Sequence, residues 1–286
     1  MQILPCLDSD ELAAARRREL YITRAAATAL GISAVDAAEA GAYLFEGTRV
    51  DWRASVEAAI SAKVSIPPDA PLPTHGAVAF PETVVQVTNE TTTAASKRLL
   101  AAGHRPLALN FANGVSPGGG FLHGALAQEE AISRSSALYS TLVGDRMYDV
   151  HRKRTDKASS DWTIYSPGVP IFRADDGTEL PEPWLLDFLT CAAPYAHTVG
   201  QPESGDLLER RIHRVLAIAR AYGYETLVLG AWGCGAFGND PKRTAVDFRK
   251  ALENEFEGAF SHVVFAITDW SPERRFLGPF RDAFAS

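Results

Sequence analysis

Cysteine is scarce. The 286 residues hold three, Cys6, Cys191 and Cys234, an odd number set far apart, which excludes a disulfide framework and offers no C-x₂-C zinc spacing. A reducing, cytoplasmic setting is expected. Also missing is any apolar run near the roughly 20 residues that cross a bilayer, and the opening MQILPCLDSDE has neither the basic nor the apolar part of a secretory signal. No membrane association is expected. Positive charge is in deficit, with 28 Lys+Arg against 35 Asp+Glu and a net charge of −7, which argues against non-specific DNA binding through clustered phosphate neutralisation. His104, His123, His151, His197, His213 and His262 form no H-x-x-x-H or H-E-x-x-H cluster, so no catalytic metal is expected. Glycine and proline, 22 and 17 residues, are too few for a fibrous or low-complexity chain.

What is present is a globular composition, 46% hydrophobic and 22% charged, long enough for one large or two small domains. Residues 8–64 read helical, with Ser9 or Asp10 capping a segment from Glu11 to Arg24 and Asp51 capping a short helix with Val56 and Ile60 on one face. Arg16-Arg17-Arg18 reads as a solvated helix face and is left out of the candidate site. The proline-rich stretch 66–73 disfavours helix and strand alike, and marks a soft boundary between an N-terminal helical extension, 1–75, and a main domain, 76–286. Beyond it, β-rich runs at Val84–Thr88, Leu107–Phe111, Trp162–Phe172, Thr226–Leu229 and His262–Ile267 alternate with helical segments at Thr92–Ala102, Gln128–Val143, Leu207–Tyr222 and Pro241–Phe256. The alternation predicts an α/β fold of three layers, α/β/α.

Two strand–glycine-loop–helix segments stand out, in the place where open α/β sheets bind ligands. The first runs from Leu107 through Asn113 and Gly118-Gly119-Gly120 to Gln128-Glu129-Glu130. Three glycines let backbone approach a ligand closely. Two adjacent helical carboxylates project about 100° apart, so one can point into a pocket while the other orients it or a ligand hydroxyl, an arrangement suited to acid/base chemistry on a sugar. The second segment is Gly230-Ala-Trp-Gly233-Cys234-Gly235-Ala236-Phe237-Gly238-Asn239-Asp240. Its exposed N–H groups and the following helix N-terminus suit a diphosphate. It is no P-loop, since no G-K-[ST] follows, nor a G-x-G-x-x-G dinucleotide fingerprint. Cys234 reads as a small packing residue of that loop, because no histidine neighbours it to activate a thiol. Asn89 or Glu90 either caps a helix or meets the amine of a base. Phe237 reads either as a core aromatic or as a residue that stacks on a ligand.

The GGG-x₇-QEE pattern at 118–130, followed by the second loop in the right order, resembles the signature of bacterial-type poly(ADP-ribose) glycohydrolases over about residues 10–280. The resemblance implies a macrodomain with a mixed central sheet, preceded by helices. It implies hydrolysis of the ribose–ribose O-glycosidic bonds of poly(ADP-ribose), mainly from chain ends, releasing ADP-ribose, with no cofactor and no metal. Glu130 then resembles the family's catalytic glutamate and Glu129 its neighbour that fixes a ribose hydroxyl. Asn113, Gly118, Gly119, Gly120 and Gln128 resemble the distal-ribose side of a binding site. Gly233, Cys234, Gly235, Ala236, Phe237 and Gly238 resemble its diphosphate loop. The expected partners are poly(ADP-ribose) and ADP-ribose on modified proteins, and the expected state is a monomer. The competing readings are a non-catalytic ADP-ribose-binding macrodomain and a hydrolase of protein-linked mono-ADP-ribose.

Overall fold

The computed structural model describes residues 1–74 and 79–285. The 75/76 boundary expected above lies outside the described residues. In chain order the elements are β1 (Gln2–Ile3), α1 (Asp10–Glu19), α2 (Arg24–Ala40), β2 (Ala42–Phe45), β3 (Thr48–Asp51), α3 (Arg53–Ala62), β4 (Val64–Ile66), β5 (Val84–Thr88), α4 (Thr92–Ala101), β6 (Pro106–Ala112), α5 (Gln128–Ser135), α6 (Leu138–Leu142) and α7 (Arg146–Arg152). There follow β7 (Thr163–Arg173), β8 (Glu179–Ala192), α8 (Ala196–Val199), α9 (Glu203–Ala221), β9 (Thr226–Leu229), α10 (Pro241–Glu253), β10 (His262–Ala266) and α11 (Leu277–Ala283).

Eight strands form one mixed sheet in the order β1-β5-β10-β9-β6-β8-β7-β4. It is parallel from β1 to β8, then antiparallel through β7 and β4. Side chains of a strand alternate between faces, and here the alternation divides the core in two. Leu107, Leu109, Leu227, Leu229, Val263 and Phe265 pack on α9, α10 and α11. Ala108, Val228, Val264 and Ala266 face the other way, toward α4, α5, α6 and α7. The result is the expected α/β/α sandwich, a macrodomain-like fold.

The first 74 residues are helical over α1, α2 and α3, as expected, and also supply both edge strands of the sheet, β1 and β4. Ser9 caps α1 by accepting from Leu12 N–H; Thr23 then restarts the chain as α2, so the expected segment through Arg24 is two helices. In α3, Val56 and Ala59 face the core and Ile60 faces solvent. The expected helix from Gln128 to Val143 is also two. Ser136 ends α5 in extended backbone, its hydroxyl donates to Ile132 O, and it bridges to Ile171 of β7, the local competition that makes serine a helix interrupter.

Candidate active site

Both glycine loops lie at the carboxyl ends of their strands, β6 and β9, and open on a cavity of about 590 Å³. Asn113, Gln128, Glu129, Glu130, Gly233, Gly235, Ala236 and Phe237 all line it. Gly118, Gly119, Gly120, Cys234 and Gly238 do not.

Glu129 and Glu130 occupy the first turn of α5 and are both buried, at 3% and 8% exposure. Glu129 is held from several sides. Its Oε2 accepts from Asn113 N–H at 2.6 Å and its Oε1 from Asn110 Nδ2 at 3.4 Å. Burial holds its carboxyl well above the ordinary range, the adjacent Glu130 charge adds to that, and the Asn113 N–H opposes it. Glu130 Oε1 accepts from Gly120 N–H at 2.9 Å, while its Oε2 is buried and has no partner among the described residues. A buried acceptor without a donor costs about 1–3 kcal/mol; on a residue that lines the cavity it can be met by a ligand hydroxyl or by a proton of its own.

The glycine triplet explains this proximity. At Gly119, φ is +60°, and a Cβ would lie 2.3 Å from Glu130 Oε1 and 3.0 Å from Glu129 Oε2. The triplet makes room for the two carboxylates and does not itself wall the cavity. Gln128 lines the cavity and also fastens the start of α5. Its Oε1 accepts from Phe111 N–H, and its Nε2 donates to Leu109 O and Thr92 Oγ1, which fastens α5 to β6 and α4. Asn113 Oδ1 accepts from the N–H groups of Val115 and Ser116, an Asx turn.

The second loop is built differently. Asn239 fastens its base, with Nδ2 donating to Pro194 O and Gly233 O. The N–H groups of Gly235, Ala236 and Phe237 find no acceptor among the described residues, and all three residues line the cavity. Backbone donors left without an acceptor are the kind of group that an anion can use. Phe237 stands edge-on to Tyr195, ring centroids 5.6 Å apart. Cys234 turns away from the cavity, Sγ donating to Trp232 O at 3.5 Å, with its thiol pushed up to about 12 by burial. It packs in the base of the loop and does not line the cavity.

Several cavity residues were not expected. Arg17, excluded as part of a solvated face, lines the wall with the 78%-exposed Tyr21, because the turn between α1 and α2 docks over the opening. Sequence holds no signal for that docking. Arg134 also lines it, four residues after Glu130 and so on the same helix face, a spacing that could have revealed it. Its Nη1 donates to Ala125 O, and burial lowers its proton affinity while Glu130 opposes. Asn89 neither caps nor faces the cavity. It donates to Asp8 and Asp269 O and accepts from Asp269 N–H, while Thr91 caps α4. Glu90 lines the wall, paired with Arg98. Among the described residues no group of three or more His, Cys, Asp and Glu is arranged to hold a metal ion, and no helix is long and apolar enough to cross a membrane.

The family model for the microbial-type PARG catalytic domain matches residues 32–174. Poly(ADP-ribose) glycohydrolase (PARG) from Thermomonospora curvata is 40% identical, with a TM-score of 0.84, covering 90% of this chain and 98% of that one. The chain belongs to this family. It is a poly(ADP-ribose) glycohydrolase, a glycosidase. The T. curvata glycohydrolase bound to the inhibitor ADP-HPD gives 41% identity and a TM-score of 0.82, with the same coverage. The Deinococcus radiodurans glycohydrolase in complex with ADP-ribose gives 38% and 0.73, covering 80% of this chain and 96% of that one. No curated protein matches the chain. In this glycohydrolase the matched span 32–174 contains the first loop and both carboxylates, and ends before the second loop.

Proposed function

We propose that the glycohydrolase trims poly(ADP-ribose) from its chain ends in the cytoplasm, as a monomer, with Glu130 as the acid and base. The observation that carries this reading is Glu130, which lines the cavity and whose buried Oε2 has no partner among the described residues, together with Gly235, Ala236 and Phe237 on the same cavity, whose N–H groups find no acceptor among those residues. In this reading the diphosphate of the terminal unit lies on Gly235, Ala236 and Phe237. The Phe237 ring presses the distal ribose toward Glu130. Asn113 and Glu129 orient hydroxyls of that ribose.

Glu130 gives its proton to the leaving ribose oxygen as the glycosidic bond breaks, and the anomeric carbon becomes oxocarbenium-like. The resulting carboxylate then takes a proton from water, which attacks that carbon and yields free ADP-ribose. Ordinary glycosidases flank the bond with two separated carboxylates. Glu129 and Glu130 are adjacent and Glu129 is engaged by Asn113 and Asn110, so a single group acts twice. An acidic protein holds an anionic polymer here through oriented backbone donors, not through net charge. Arg152 and Arg154 lie off the cavity, paired with Asp149 and Asp156.

The test is ADP-ribose release from purified poly(ADP-ribose) by the wild type and by Glu130→Gln, with ADP-ribose binding to both measured by calorimetry. Release by the wild type, lost in a variant that still binds, is the expected result. Binding without release by either protein would leave a reader domain or a hydrolase of another ADP-ribose linkage.

A further inference from the structure

His151 takes no part in the chemistry above, yet it is buried, at 3% exposure, directly behind the first loop. It sits on α7 beside Arg152. Its Nδ1 is 3.0 Å from Gly114 O and its Nε2 is 2.7 Å from Ser160 Oγ. A carbonyl only accepts, so Nδ1 carries the proton; in the neutral ring Nε2 then accepts from the Ser160 hydroxyl. Burial favours that neutral ring, as do Arg211 from α9 and Arg154 from the turn after α7; the Gly114 carbonyl and Asp156 oppose them.

The approach is close because residue 114 has no side chain. A Cβ there would meet Ser159 Oγ at 2.3 Å and His151 Nδ1 at 3.2 Å. Arg152 adds a second hold, its Nε donating to Val115 O at 2.9 Å. On the other side of the same turn, Asn113 N–H donates to Glu129 Oε2. The segment 113–115 is thus gripped between α7 and α5, and what α7 fixes is the donor that orients Glu129.

We infer that His151, as its Nδ1–H tautomer, is a positioning residue of the glycohydrolase, holding the 113–115 turn so that Glu129 and Glu130 keep their places. The inference rests on the function proposed above. Displacing a catalytic group by about 1 Å costs up to a hundredfold in rate, while the second loop, which holds the diphosphate in that function, is untouched. The effect therefore falls mainly on kcat, and far less on ADP-ribose affinity, which the diphosphate contacts of the second loop maintain.

The experiment compares His151→Asn, whose side-chain amide stands where ring Nδ1 does, with His151→Gln, whose amide does not. kcat and KM on poly(ADP-ribose), calorimetric ADP-ribose binding and thermal midpoints are measured for each. The expected result is His151→Asn within about threefold of wild-type kcat and His151→Gln down roughly 10- to 100-fold, with KM and ADP-ribose Kd within about twofold in both. Equal behaviour of the two variants, whether both keep the rate or both lose it, overturns the inference. Should His151→Gln not fold, the rate of His151→Asn and the ring ¹⁵N shifts of the wild type decide; a proton on Nε2 in place of Nδ1 overturns the inference by itself. A wild type that releases no ADP-ribose sinks the proposed function instead, and its ring shifts still report whether His151 holds Gly114.

Discussion

The two glycine loops follow parallel strands and precede helices, yet they use the same ingredients in opposite ways. In the loop after β6, the backbone donors turn inward. Asn113 and Gly120 N–H bind the carboxylates, and those of Val115, Ser116 and Gly119 close the turn. In the loop after β9, those of Gly235, Ala236 and Phe237, residues that line the cavity, find no acceptor among the described residues. Glycine serves the first loop by making room for two acids. It serves the second by leaving backbone uncovered, since a Cβ at Gly235 would meet nothing within 4 Å. A glycine-rich loop at a strand end therefore does not announce an anion site; where its N–H groups go decides that.

If the division is right, the first loop governs rate and the second governs affinity. The largest predicted effect is on Glu130→Gln, with kcat on poly(ADP-ribose) down about 10³-fold and ADP-ribose Kd within a few-fold, near the upper range of general acid–base contributions. A variant that keeps more than a tenth of the rate would move the chemistry off this residue. Next comes Gly119→Ala, where the collision with Glu130 Oε1 and the positive φ predict a loss of about a hundredfold in kcat and about 1–3 kcal/mol in stability. Gly235→Ala is its control. With open space at the Cβ, kcat and Tm should hardly move, and parallel losses in the two variants would break the comparison.

Phe237→Ala sharpens it from the other side. Loss of the ring should weaken ADP-ribose binding about tenfold by calorimetry, as expected of a buried aromatic contact worth roughly 1–1.5 kcal/mol; an unchanged Kd would remove Phe237 from the site. The smallest effect concerns stability. Because burial raises the folded-state pKa of Glu129 well above the ordinary glutamate value of 4.5, its contribution to stability is full below about that pH and is lost as pH rises through the folded value. Glu129→Gln, which cannot ionise, should therefore exceed the wild type in Tm at neutral pH by a few degrees, on the order of 1 kcal/mol, and match it near pH 4. Equal Tm values at both pH values would show that the Asn113 and Asn110 donors offset the burial.

How much of this was legible beforehand follows from where each signal resides. The strands β5 and β9 coincide with the runs expected from sequence, because β5 is rich in β-branched residues and β9 is a short run buried at all four positions. The longest strand, β8, was missed because Pro181 and Pro183 argue against a strand. They are tolerated since residues before Asp187 pair only with β7, β6 joining from Asp187 onward. The paired carboxylates and the second loop are local in sequence and were found. Arg17 and Tyr21 reach the cavity only through docking of the α1–α2 turn, and no periodicity records such a contact. Gln128 lies in the expected segment, but the direction its side chain takes is set by a neighbour remote in sequence, Thr92.

The sheet's two ends are both made by the N-terminal chain, a dipeptide strand beside β5 at one margin and a three-residue strand beside β7 at the other. Strands this short present few free amides, so they act as selvedges that stop the sheet from adding a further strand from another molecule. A truncated chain beginning near residue 80 would bare β5 and the eleven-residue β7 together. Its defect should appear first as self-association in solution, before any question of activity arises.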